Sequence, residues 1–170
     1  MEFKRKIVDE FESWKQSLKI KRKALIIKGL RQIGKSYIVD YFAKNNYENV
    51  IKIDFKKERQ MRACFGIDLN VDDLITNISA NKPGDLFEPY KTVLILDEIQ
   101  ECSAARASIK SFMEDGRFDI IATGSLLGLK GYNSKYSGGV SVGFEHTVYM
   151  KAMDFEEFLW AIGISQETIE

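Results

Sequence analysis

Apolar residues at Ile7, Phe11, Trp14 and Leu18 recur at spacings of four, three and four, with charged residues on the faces between them. That stripe predicts an amphipathic helix near the start of the chain. The pattern then switches. Residues 24–28 (ALIIK) form a continuous apolar run, as expected of a strand buried on both faces. Beyond a Gly-containing turn, Ile38, Val39, Phe42 and Ala43 restore the helical spacing and predict a helix over 35–45. Residues 50–55 (VIKIDF) alternate and predict a second strand. Val71, Leu74, Ile75 and Ile78 predict a helix capped by Asn70, with Asp72 and Asp73 suited to its first turn, and Pro83 and Gly84 break it. Three more strands are predicted at 92–96 (TVLIL), 118–122 and 145–150, with a helix over 104–113 between the first two of them. Residues 131–143 are the most turn-rich segment and predict a surface loop. Asp154 and Glu157, three positions apart, make a capping-box start for a last helix.

Strands alternating with helices in this order predict a parallel sheet covered on both faces, the α/β layered architecture. The chain divides at residue 23 into an N-terminal helix with a basic link and a domain over 24–170. The basic run of the link, Lys19, Lys21, Arg22 and Lys23, is either a solvated connection or a contact to phosphate or nucleic acid. An apolar content of 45% and a charge balance of 25 basic against 25 acidic residues exclude a disordered chain. Zero net charge also removes the simplest case for a nucleic-acid binder. No apolar run approaches the ~18–20 residues that span a bilayer, and the start MEFKRKIVDE lacks the apolar core of a signal peptide. Cys64 and Cys102 have no metal-type spacing and fit a reducing, cytoplasmic setting. The last helix carries Phe155, Phe158, Leu159, Trp160 and Ile162, a stripe that calls for cover from the sheet or from further chain.

Candidate chemistry enters at residues 29–36. Gly29-Leu30-Arg31-Gln32-Ile33-Gly34-Lys35-Ser36 matches G-x-x-x-x-G-K-[ST] in full, between a predicted strand and a predicted helix. The two glycines let the backbone turn tightly and present its N–H groups to an anion. The N-terminal end of the following helix, through Tyr37, adds unpaired donors and a positive dipole. Lys35 supplies a mobile charge for the β and γ phosphates, and the Ser36 hydroxyl is a hard oxygen donor for Mg²⁺.

A second signal is independent of the first. The apolar strand Val93-Leu94-Ile95-Leu96 ends in Asp97 and Glu98. At the carboxyl edge of a parallel sheet, Asp97 would hold Mg²⁺ through its water shell, and Glu98 would orient or deprotonate an attacking water. A third is Ile120-Ile121-Ala122-Thr123-Gly124-Ser125, another apolar strand ending in hydroxyl residues. Thr123 or Ser125 either senses the γ-phosphate or simply flanks a glycine turn.

Together GLRQIGKS, LILDEIQE and IIATGSLLG resemble the ATPase domain of a broad group of prokaryotic AAA-type ATPases. The late segment Met153-Asp154-Phe155-Glu156-Glu157-Phe158-Leu159 matches as well, with Ala152 where that group usually has Pro. The resemblance implies a three-layer P-loop NTPase fold with five parallel strands in the order 5-1-4-3-2. It implies ATP and Mg²⁺ as ligands, residues 29–37 as the nucleotide-binding segment, and Thr123 or Ser125 as the sensor. It also implies a C-terminal domain beyond this chain, through which a protein or DNA partner would act, and it leaves room for a homo-oligomer. Many members have Gly-Arg before the fifth strand, where this chain has Gly143-Phe144, so an arginine finger is not expected there. Arg31, Arg106 and Arg117 are the other candidates for that role.

The function expected is Mg²⁺-dependent ATP binding with slow hydrolysis, used as a conformational switch, with Glu98, Lys35, Thr123 and Ser125 as catalytic residues. The alternative is a nucleotide-sensing module that does not hydrolyse. A small-molecule kinase is disfavoured by the adjacent acids and the lack of an Arg-rich lid, and the absence of N-K-x-D favours adenine over guanine. His146 has no partner at ligand spacing, and Cys102 reads as a small hydrophobe. Asp54, at the end of the second strand, is a candidate for a minor role near the nucleotide, and the basic run at 19–23 for a contact to adenine or to DNA.

Overall fold

A computed structural model describes residues 4–66, 70–125 and 143–164. The order of elements is α1 (Ile7–Ser17), β1 (Ala24–Gly29), α2 (Lys35–Asn46), β2 (Asn49–Asp54), α3 (Val71–Asn81), β3 (Thr92–Asp97), α4 (Ser103–Asp115), β4 (Asp119–Ser125), β5 (Glu145–Met150) and α5 (Phe155–Ala161). Short 3₁₀ segments at Arg59–Cys64 and Ile99–Glu101 lead into α3 and α4. The surface loop expected at 131–143 lies outside the described residues except for Gly143.

The five strands pair in parallel in the order β2-β3-β4-β1-β5, which is the expected 5-1-4-3-2 read from the other edge. Side chains alternate across the sheet and feed two cores. Ala24, Ile26, Leu94, Leu96, Ile120 and Ala122 face the layer that includes α3 and α4. Leu25, Ile27, Val93, Ile95 and Ile121 face α1 and α2. Strands buried on both faces call for apolar residues, and β3, buried at all six positions, has them from Val93 to Leu96.

α1 belongs to the second core. Phe11 and Trp14 are buried against Phe42 of α2, with ring centroids 5.4 and 6.4 Å apart. The Trp14 indole N–H donates to the Lys23 carbonyl at 2.8 Å, which fixes the turn into β1. The end of α1 and residues 19–23 therefore lie where β1 begins, at the amino edge of the sheet. A six-residue strand is ~20 Å long, so the basic run stands about that far from residues 29–36 at the other end of β1. Arg22 instead pairs with Asp119 at the start of β4, whose other oxygen accepts from the Tyr47 hydroxyl at 2.7 Å.

Candidate phosphate-binding site

β1 delivers the chain to Gly29 at the carboxyl edge of the sheet, and residues 30–34 turn from there into α2. A Cβ on Gly29 would lie 2.6 Å from the Met150 carbonyl oxygen and 2.7 Å from Ile33 Cδ1, so the approach of β5 and the loop requires glycine. Gly34 immediately precedes α2 in the left-handed region, at φ 88°, where glycine carries no Cβ penalty. Gln32 also has positive φ, at 62°, and bears a side chain there. Leu30 and Arg31 face solvent, Ile33 is half-buried, and α2 opens with Lys35 and Ser36, the Ile38 N–H donating to the Gly34 carbonyl at 3.1 Å.

Lys35 is buried, with its Nζ donating to the carbonyls of Gly29 (3.2 Å) and Leu30. Burial lowers its pKa below the ordinary lysine value, while Glu98 and Asp97 pull it back up and Arg31 adds a smaller depression. Its side chain thus lies inside the loop with two acids close enough to be felt.

Asp97 is the hub. It is buried, and both its oxygens are engaged by groups from other elements. Ser36 Oγ in α2 donates to Asp97 Oδ2 at 2.7 Å. Thr123 Oγ1 in β4 donates to Asp97 Oδ1, and the same hydroxyl accepts from the Glu98 N–H at 3.3 Å. Lys52 Nζ in β2 lies 3.6 Å from Asp97 Oδ2 and is held by Asp40 of α2 at 2.8 Å. Glu98 follows in the left-handed region, with φ 56° and ψ 47°, and the Gln100 amide donates to its Oε2. Non-glycine residues held there cost of order 1–3 kcal/mol and gather at functional sites.

β4 does not turn at Gly124. It stays extended and buried through Ser125, because pairing with β1 continues to Thr123–Ile27 and Ser125–Gly29. The glycine-turn reading is thereby replaced, and the two hydroxyls separate: Thr123 belongs to the Asp97 network, whereas Ser125 flanks the first glycine of the loop.

Other residues singled out in the sequence have defined surroundings. Asp54 accepts from the N–H groups of Lys56 and Lys57 at 3.0 and 3.1 Å, so it caps the turn after β2. Arg106 is buried in an ion pair with Glu145 at 3.1 Å, and Arg117 is held by Asp115 and Asp72 at the amino edge of the sheet. Neither is placed to reach residues 29–36 of its own chain; Arg31 is exposed within the loop. His146 is exposed on β5, and Cys102 is buried, which raises its thiol pKa. Among the described residues, no group of three or more His, Cys, Asp and Glu could hold a metal by itself. Ser36 and Asp97 are two hard oxygen donors, a set that suits Mg²⁺ completed by phosphate oxygens and waters.

Four partners escaped sequence reasoning: Lys52, Asp40, Gln100 and Arg5. Lys52 had a signal, a cation within a mostly apolar strand, and Gln100 lies within the LILDEIQE segment; Asp40, among the apolar residues of α2, and Arg5, in a charged run, carry none. Arg5 is buried beside the loop, donating to the Ile33 carbonyl at 3.3 Å. It also lines an almost wholly apolar cavity of about 230 Å³ with Ile33, Gly34, Tyr37, Ile38 and Met153.

Comparison with known proteins agrees with this geometry. No curated protein sequence matches the chain. The ORC2 protein of Aeropyrum pernix, solved as ADPNP–ADP complexes, is similar in fold with a TM-score of 0.63 and 13% identity over 97% of this chain. A Walker-type ATPase of Pyrococcus abyssi gives 0.54 and 17% over 96%. The chain spans only 52% and 60% of those two proteins. A family model described as "AAA domain" matches residues 21–159. With residues 29–36 at the carboxyl edge of a 2-3-4-1-5 sheet, the chain belongs to the AAA-type P-loop ATPase family.

Proposed function

We propose that this chain binds ATP with Mg²⁺ and hydrolyses it slowly, the nucleotide state serving as a conformational switch. The observation that carries the reading is the convergence of Lys35, Ser36, Asp97 and Glu98 at the end of β1 and β3, with Ser36 Oγ 2.7 Å from Asp97. The N–H groups that open α2 bind phosphate oxygens, and Lys35 exchanges its loop carbonyls for the β and γ phosphates. Ser36 and Asp97 are the residues that would hold Mg²⁺, and Thr123 keeps the Asp97 carboxylate in its plane. Mg²⁺, when bound, neutralises charge on the phosphate oxygens and fixes their orientation. Glu98 accepts a proton from, or orients, the attacking water. Ser125, which pairs with Gly29, registers the end of the phosphate chain. The apolar cavity beside Gly34 suits the base.

Two of the three candidate arginines support slow turnover. Arg106 and Arg117 are committed to ion pairs away from the loop, and an arginine finger commonly contributes 10³–10⁵ in rate. One observation favours the second reading, a module that senses nucleotide without hydrolysing it: Gln100 holds the Glu98 carboxylate by a hydrogen bond.

Calorimetry and phosphate release separate these readings. The parent chain is expected to bind MgATP and release phosphate; Lys35→Ala is expected to do neither; Glu98→Gln is expected to bind and release none. Binding without phosphate release above the Lys35→Ala background selects the sensing module. A folded parent chain that takes up no adenosine nucleotide overturns both.

A further inference from the structure

Arg5 lies upstream of the family match and outside every nucleotide motif, yet it is one of the few buried charges in the chain. Its guanidinium touches three segments that are distant in sequence. One nitrogen donates to the carbonyl of Ile33 in the phosphate loop at 3.3 Å, and a second to the carbonyl of Lys151, just past β5, at 2.9 Å. Its Nε lies 3.2 Å from Glu157 Oε1 in α5, and both side chains are almost completely buried.

Glu157 is itself the N3 member of the capping box that starts α5, with Asp154 as N-cap. Its Oε2 accepts from the Asp154 N–H at 3.0 Å, while the Asp154 side chain accepts from the Glu157 N–H at 2.9 Å. Its Oε1 also takes the Lys6 N–H at 2.8 Å. One carboxylate therefore starts α5, anchors the segment that precedes α1, and neutralises the cation that holds the loop.

Arg5 is in addition the shared wall of two cavities. On one side is the apolar space beside Gly34, closed by Met153, which immediately precedes the α5 cap. On the other is a space of about 250 Å³ lined by residues of β5, the link to α5, and Glu157. A base seated in the first cavity would touch Arg5 and Met153 together, and so would contact both the loop and the root of α5.

We propose that Arg5 is a positioning residue of the nucleotide site, which joins the phosphate loop to α5 so that nucleotide binding and α5 docking form one coupled equilibrium. The inference rests on the nucleotide-binding reading above and adds how that site is regulated. Coupling is reciprocal: if nucleotide tightens α5 docking, loosening α5 weakens nucleotide binding by the same factor. The element so governed presents Phe155, Phe158 and Ile162 to solvent, so its placement sets the position of an apolar face.

The chain contains its own reporter. Trp160 of α5 is half-buried beneath the ammonium groups of Lys4 and Lys6, 5.0 and 5.7 Å from its ring centre. Trp14, the other tryptophan, is buried in the core. Acrylamide quenching of the whole chain therefore reads Trp160. Saturating ADP with Mg²⁺ is expected to reduce that quenching in the parent chain. Glu157→Gln keeps a capping amide at the same position but removes the charge that faces Arg5. It is expected to bind ADP about 5- to 50-fold more weakly, within the usual range of coupling, and to lose the Trp160 response. Arg5→Lys, which keeps the charge but not the fork, is expected to fall between the two. If calorimetry detects ADP binding to the parent chain while Trp160 quenching stays unchanged, the coupling is refuted and nucleotide binding stands; that measurement needs no variant. Equal ADP affinity in a folded Glu157→Gln chain refutes it as well. No ADP binding by the folded parent chain removes the nucleotide reading and this inference together.

Discussion

Asp97 illustrates how little of a site is visible in one residue's neighbours along the chain. Its place after four apolar residues marks it as the polar end of a buried strand, but its partners Ser36 and Thr123 come from 61 and 26 positions away. A buried carboxylate survives only when both oxygens are paired, and here α2, β4 and β2 each contribute to that. Gly29 was legible from the motif, yet its structural reason was not, because the atom it must avoid belongs to Met150 of β5. Gly29→Ala is expected to force β1 and β5 apart, since the clash is with backbone that cannot rotate away. Overpacking of this kind costs typically 1–3 kcal/mol. A lowered urea midpoint together with lost MgATP binding would show it; unchanged values for both would refute the close approach.

At the scale of elements, local chemistry worked best where a cap or a period is self-contained. Asn70 caps α3 by accepting the Asp73 N–H at 2.9 Å, as its position ahead of the apolar stripe implies. Asn70→Ala is expected to destabilise the chain by ~1 kcal/mol, measured by chemical denaturation, with nucleotide binding unaffected because α3 lies remote from the loop. The capping box of α5 was equally legible. The end of β4 was not. Thr, Gly and Ser read locally as a turn, but the hydrogen bonds of the neighbouring β1 keep them extended, and pairing outweighs the conformational freedom of one glycine. The two 3₁₀ segments also escaped, being too short to establish a period.

Over the whole molecule, the layered architecture distributes tasks between the two faces of the sheet. The α1–α2 face carries the helix that opens with Lys35 and Ser36, so the packing of α1 bears on the site although α1 contributes no motif. Phe11→Ala removes a fully buried ring from between Phe42 and its neighbours. Such truncations cost about 3–5 kcal/mol, and a correspondingly lower urea midpoint is expected. A loss below 1 kcal/mol would mean that α1 is not part of the cooperative unit. The described residues include no helix long and apolar enough to cross a membrane.

Hydrophobic period, cap residues and the glycine–lysine spacing act over one or two turns of chain, and on that range the amino-acid order alone determined the helices, the parallel strands and the glycine-bounded turn from β1 into α2. The strand order was reached through family resemblance, since nothing in a strand's own period says which neighbour it will take. Tertiary structure alone decided the surroundings of the site: that Thr123 rather than Ser125 pairs with Asp97, that Lys52 stands beside it, that the basic run faces the opposite edge, and that Arg5 meets a residue 146 positions away at Lys151. Those contacts arise when separate surfaces are brought together, and a one-dimensional pattern records the surface without naming its counterpart.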